Sequence, residues 1–162
     1  MAATPRVPTL AFSLLLAAIV LAGGCARHTG ADRAPAACTA GSAQGRMRDL
    51  RGALTHAPGP VVLRGGTRIS SCIARVSDTA DLQNIGATLL SATQDLADSA
   101  RAHRSGRALT QLGYLIGAVR RGASKARGLD DDLLRRLEQE LSGVDTQAPP
   151  YRLAERAGRT TG

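Results

Sequence analysis

The sequence predicts an all-α fold, a small antiparallel three-helix bundle over about residues 78–143, with an N-terminal helical segment tied on by a disulfide. Three observations predict it. Apolar residues from Leu82 to Leu141 recur in steps of three and four, the period of one helix face. Glycine-containing breaks separate the runs, and connectors this short make consecutive helices antiparallel neighbours. Aromatic residues are nearly absent: Phe12, Tyr114 and Tyr151 are the whole set among 162 residues. A core must then be built from Leu, Ile, Val and Ala, which suits packed helices better than a β-sandwich.

Taken in order, Ser42 to His56 forms a short helix with Met47, Leu50 and Leu54 on one face. Pro58-Gly59-Pro60 ends it, since neither proline can continue a helix. Val61-Val62-Leu63 is extended but too short to make a sheet, and Arg64-Gly65-Gly66 is a turn. A second short helix runs from about Ile69 to Val76 and carries Cys72. The strongest signal follows. Leu82, Ile85, Leu89, Ala92, Leu96 and Ala100 make one stripe on a helix from about Thr79 to His103. After Ser105-Gly106, a second stripe runs through Leu109, Leu112, Ile116, Val119, Ala123 and Ala126, with Gly128 as its C-terminal cap. Asp130, Asp131 and Asp132 open a third helix, where carboxylates favour the positive helix end. Its stripe is Leu133, Leu134, Leu137 and Leu141, and Gly143 closes it. Asp145 to Pro150 reads as a linker or strap, Tyr151 to Ala157 as one or two helical turns, and Gly158 to Gly162 as a frayed end.

Charge agrees with an antiparallel pairing of the first two bundle helices. From Val76 to Ala100 the chain has four aspartates and no basic residue; from Ala100 to Leu129 it has seven basic residues and no acid. The hairpin would bring Asp95 and Asp98 towards Arg104 and Arg107, and Asp78 and Asp81 towards Arg120, Arg121, Lys125 and Arg127. Gly113 and Gly117, four apart on the second helix, permit close helix approach within the bundle or at a self-association face.

The beginning of the chain carries an address. Met1 to Pro8 has one positive charge, Arg6, and Thr9 to Ala22 has none and is mostly apolar. That is signal-peptide anatomy, and the apolar run is too short for a retained membrane span. The run ends in Leu21-Ala22-Gly23-Gly24-Cys25. Over residues 1–25 the chain resembles bacterial lipoproteins, whose lipobox cysteine receives a diacylglyceryl group before the leader is cut away. One departure is that Ala22, not leucine, stands three places before the cysteine. The resemblance implies a lipidated Cys25 at the head of the mature protein and a cell-envelope location on the exported side. The alternative is an ordinary signal-peptidase cut after Gly24 or Ala26, with no lipid. The resulting division is a signal peptide over 1–24, the lipidated cysteine and a flexible tether over 25–37, a helical domain over 38–144, and a proline-containing tail over 145–162.

With Cys25 lipidated, Cys38 and Cys72 remain. An exported protein sits where disulfides persist, so one bridge is the simplest use of the pair, with two unpaired buried thiols as the alternative. Closing a loop of about 35 residues would stabilise the domain by roughly 3–4 kcal/mol. Neither cysteine has a metal-ligand partner at suitable spacing.

The search for chemistry returns little. His28 lies in the tether, and His56 and His103 lie at helix ends, where each reads as a surface residue. No HExxH, GxSxG or P-loop spacing is present. Gly65-Gly66-Thr67 lacks the lysine and strand of a phosphate loop. Asp130, Asp131 and Asp132 point in different directions at a helix start, and Glu138 and Glu140 cannot share a helix face. No catalytic residue, cofactor or metal site is expected. The remaining candidate is the basic run Arg120, Arg121, Lys125 and Arg127, either a face paired with aspartates or an anion-binding site for lipid headgroups or cell-wall polymer. Nucleic acid fits poorly, because an exported chain with so few aromatic residues offers no stacking platform. The expectation is therefore a non-enzymatic, membrane-anchored adaptor with an envelope protein partner. The alternative is a module that binds anions through the helix around 120–127.

Overall fold

A computed structural model describes residues 33–76, 78–103, 106–125 and 130–162. Cys25, His28, Arg104, Arg127 and Gly128 lie outside the described residues, so the leader and lipobox readings have no structural counterpart. The architecture is all-α. In chain order the elements are α1 (Ala36–Thr39), α2 (Ala43–Leu54), β1 (Val62–Leu63), β2 (Thr67–Arg68), α3 (Ile69–Ala74), α4 (Thr79–His103), α5 (Gly106–Ala123), α6 (Asp130–Gln139) and α7 (Pro149–Thr161).

The domain begins earlier than the expected tether allows. Ala34 is buried in the core and α1 starts at Ala36, so residues 34–37 belong to the packed structure. The Cys38–Cys72 disulfide is formed and joins α1 to α3, with both cysteines buried. Ser42 caps α2 by accepting the Gly45 N–H at 3.1 Å, and Leu50 and Leu54 are buried on its inner face. Val62 and Leu63 do pair, antiparallel with Arg68 and Thr67, in a minimal hairpin. Its turn uses Gly65 and Gly66 at positive φ, a conformation other residues rarely adopt.

The long helix α4 has the expected bounds. Asp78 starts it by accepting the Asp81 N–H at 2.7 Å. Ile85, Leu89, Ala92 and Ala100 are buried as the stripe predicts. Thr93 is buried as well, and donates to the Leu89 carbonyl at 2.9 Å, so its hydroxyl is not left unpaired.

The three-helix bundle expected over 78–143 is an incomplete description, because α5 is enclosed by more than two neighbours. Every residue from Leu112 to Val119 is buried. A single stripe would have left half of them in water. Helices α3, α4, α6 and α7 all pack on α5, and α7 packs most closely. The expected frayed tail is therefore corrected to a docked helix of 13 residues. Pro149 and Pro150 do not interrupt this helix. They begin it, at positions where a helix needs no N–H from them. Tyr151, Ala154 and Gly158 are buried, and Gly162 donates its N–H to the Gly158 carbonyl at 2.9 Å.

Glycine makes the α5–α7 contact possible. A Cβ at Gly113 would collide with the Tyr151 carbonyl, one at Gly117 with the Glu155 carbonyl, and one at Gly158 with the Tyr114 carbonyl. Gly162 lies against Ala118. These partners ascend together, so the two helices run parallel with their backbones in direct contact. Gly122 plays a similar part against α3, where a Cβ would lie 2.8 Å from the Ser70 carbonyl and from Ile73. The reading of Gly113 and Gly117 as a close-packing pair holds, but the partner is α7.

The charge pairing expected between α4 and α5 does not form among the described residues. Asp95 pairs with Arg51 of α2, and Asp98 with Arg101 of its own helix at 2.6 Å. Arg120 pairs with glutamates on α6 and α7. Aspartate is short, so an ion pair forms with whichever cation lies next to it, and surface pairs are too weak to choose the topology.

The sign of glycine substitution tests this packing. Gly52 of α2 is exposed with open space around it, so Gly52→Ala should stabilise by roughly 0.5–1 kcal/mol through helix propensity alone. Gly117→Ala carries the same propensity gain but meets backbone, and should destabilise by about 1–3 kcal/mol net. Urea denaturation followed by circular dichroism should move the two midpoints in opposite directions.

Candidate functional site

The sequence-derived candidates begin with the basic run on α5, and the structure divides it. Lys125 is exposed beyond the end of α5, and Arg127 is outside the described residues. Arg121 reaches along α7 and donates to the Arg159 and Thr160 carbonyls at 2.9 and 2.6 Å, which caps the C-terminal end of that helix. Arg120 turns inward. Its guanidinium donates to Glu138 Oε1 through Nε at 2.9 Å and through Nη2 at 2.5 Å, and to Glu155 Oε1 through Nη1. Glu155 also accepts from Arg159 Nε at 3.0 Å and Nη2 at 2.9 Å. Two cations and two carboxylates thus form one neutral network across α5, α6 and α7.

This network is partly shielded from water: the Arg120 and Glu155 side chains are 26% and 17% exposed. Burial acts most strongly on Arg120 and pushes its pKa down, but Glu138 and Glu155 together outweigh it and the net shift is upward. Burial likewise pushes Glu155 up. Hydrogen bonds and charge from Arg159 and Arg120 overcome it, and Glu155 sits below the ordinary glutamate value. Its neighbour Tyr151 is pushed up to about 12, first by burial, with Arg120 opposing and Glu155 and Glu138 adding to the rise. The phenol therefore stays neutral and keeps its proton.

Above this network lies an open cleft of about 610 Å³, lined by Arg120, Glu138, Glu155, Tyr151 and Arg152 and by residues of the turn between α6 and α7. Arg101 of α4 holds that turn by donating to the Glu140 and Ser142 carbonyls at 3.1 and 2.7 Å. Tyr151 belongs to the stretch read as a turn or two of helix after a linker, and sequence reasoning did not select it. The available signal was the spacing of Tyr151, Ala154, Gly158 and Gly162, whose steps of three and four match Gly113 and Gly117.

The other candidates stay apart. His56 and His103 are exposed and far apart in the chain, at the ends of α2 and α4. Asp132 pairs with Arg135 and Arg136 at 2.5 and 2.7 Å, and the Arg135 hydrogen bond chiefly holds its pKa down. Among the described residues, no three His, Cys, Asp or Glu side chains converge as a metal-binding group. No described helix is long and apolar enough to cross a membrane. No family model, curated protein or solved structure shows significant similarity to the chain.

The depressed pKa of Glu155 gives a signed pH dependence. Its charged form is favoured by folding, so its contribution is fully present above the unfolded value, roughly 4.3, and is lost as pH falls through the lower folded value. Between about pH 5 and pH 3, Glu155→Gln should lose less stability than the wild type in urea titrations. Arg120→Met leaves Glu138 without its cation in a half-buried site and should cost roughly 2 kcal/mol at neutral pH.

Proposed function

We propose that the chain is an exported, lipid-anchored protein of a bacterial envelope, whose helical domain acts by binding, as an adaptor, and not by catalysis. The observation that carries the address is Leu21-Ala22-Gly23-Gly24-Cys25 at the end of a charge-free apolar run. The Cys38–Cys72 bond supports it independently, since a disulfide in a structural position is at home in an oxidising compartment. The adaptor reading is supported by the way the titratable groups are used. Arg120, Glu138, Glu155 and Arg159 satisfy one another, and Tyr151 is held neutral, so this cluster offers no poised base or nucleophile.

The alternative reading, anion binding through the helix around 120–127, is disfavoured by geometry. Arg120 is committed to two carboxylates and Arg121 to two carbonyls, which leaves Lys125 as the exposed cation among the described members of the run. One exposed lysine attracts a membrane surface by only about 1 kcal/mol.

The address is tested by Cys25→Ala with membrane fractionation. The wild type should sediment with membranes and release in detergent, and the variant should be soluble or retained as an uncut precursor. A variant that fractionates and matures like the wild type would remove the lipid anchor. Lys125→Glu combined with Arg127→Glu leaves the Arg120 and Arg121 contacts intact. Cross-linked envelope partners, identified by mass spectrometry, should be recovered equally with that double variant.

A further inference from the structure

Tyr151 is 3% exposed, yet its hydroxyl makes no hydrogen bond to any described residue. A side chain this enclosed ordinarily finds a partner for its hydroxyl. The other tyrosine shows the usual solution: the Tyr114 hydroxyl accepts the Val61 N–H at 3.3 Å and pairs with Thr161 Oγ1 at 3.0 Å. Tyr151 instead borders the cleft, and its hydroxyl feels the charges of Arg120, Glu155 and Glu138 on the floor. Beside it, Arg152 is exposed, and its guanidinium pairs with no described carboxylate. The hydroxyl of Thr146 and the side-chain amide of Gln147, which also line the cleft, bond to no described residue.

We propose that this cleft binds a small monocarboxylate carrying amide or hydroxyl groups, with Arg152 and the Tyr151 hydroxyl taking the carboxylate and Thr146 and Gln147 taking the neutral polar groups. A volume of about 610 Å³ lies within the range of small-molecule sites. The guanidinium fork matches a planar carboxylate, and the neutral phenol adds a donor. The floor sets the charge of the ligand. Glu138 and Glu155 are neutralised by Arg120 and Arg159, so Arg152 alone offers a net positive charge, which balances one negative charge but not the nearly two of a phosphate. The same chemistry occurs at the end of a short peptide and in a sugar acid, and the experiment separates the two.

The full chain, labelled with ¹⁵N and held in neutral detergent, is titrated with N-acetyl-alanyl-alanine, with glucuronate and with inorganic phosphate. The expected result is saturable shifts of the Thr146, Gln147, Tyr151 and Arg152 amides with one of the two carboxylates, and much weaker binding of phosphate. Arg152→Gln, at an exposed position, should weaken that binding about tenfold, and Tyr151→Phe, which keeps the packed ring, about fivefold. The proposal is overturned if neither carboxylate gives saturable shifts, if the shifts map elsewhere, if phosphate binds as well, or if both variants bind like the wild type. These outcomes do not depend on whether Cys25 carries lipid.

Discussion

The close approach of α5 and α7 is the constraint on which most of the domain depends. Two helix backbones come into direct contact because Gly113, Gly117 and Gly158 offer no side chain between them. Such an approach loses the apolar area that larger residues would bury and sacrifices helix propensity at each glycine. It gains dense van der Waals contact along more than two turns. It also explains why α5 can be buried on every side. With α3 against Gly122 and α7 against Gly113 and Gly117, no face of the stretch from Leu112 to Val119 remains for water. Remove α7, and a strip of α5 that includes Tyr114, Gly117 and Ala118 loses its cover.

Arg120 follows from that geometry. A helix enclosed on all sides has little room for a long charged side chain, and a guanidinium near the interior must find partners or destabilise the fold. Glu138 comes from α6 and Glu155 from α7, so a single cation on α5 joins both neighbours. Glu155 is then shared with Arg159, one turn further along α7. The network contributes less through net energy than through position. It is satisfied in full only when α6 and α7 lie in one particular place on α5. Arg121 adds to this by closing the end of α7. Helix α7 is thus held at its middle by charge, along its inner face by glycine, and at its end by a cap.

How much of this was legible in the sequence depended on whether a residue acts locally. The bounds of α4 follow from its own periodicity, and Ser42 marks the start of α2, because both signals lie within the element. The all-α class was legible from composition and periodicity, and the disulfide from the even pair Cys38 and Cys72. The surroundings of α5 were not. Its stripe of Leu109, Leu112, Ile116 and Val119 is genuine, but the intervening Gly113, Gly117, Ala118 and Gly122 carry no hydrophobic signal, although they are buried as fully. Small residues tell a reader that something comes close without telling what. Pro149-Pro150 is legible as a boundary, but the sequence does not say which side of it is helical, since proline both ends one helix and begins the next. Charge segregation along the chain is a poor guide to ion-pair contacts. The longer glutamates Glu138 and Glu155 reach Arg120, and the aspartates of α4 do not. Of the site, the sequence showed Arg120 and Arg121 as notable but could not show that Arg120 turns inward and Arg121 caps α7.

Tyr151 belongs to both halves of the molecule. Its carbonyl meets Gly113 in the helix contact, while its side chain borders the cleft. The same cleft is lined by Arg120 of α5 and Glu138 of α6, so anything held there by Tyr151, Arg152 and the Thr146–Gln147 turn would recognise α7 in its docked place. Mass action then makes occupancy a stabilising force on α7, worth about 2.7 kcal/mol at a hundredfold excess over Kd. The outer face of α7 carries Leu153, 55% exposed, next to Arg152 and Arg156. An adaptor needs a surface whose presentation is reliable. In this fold that surface would be presented only as firmly as α7 is docked, which places the cleft, the Arg120 network and the glycine contact in one chain of cause.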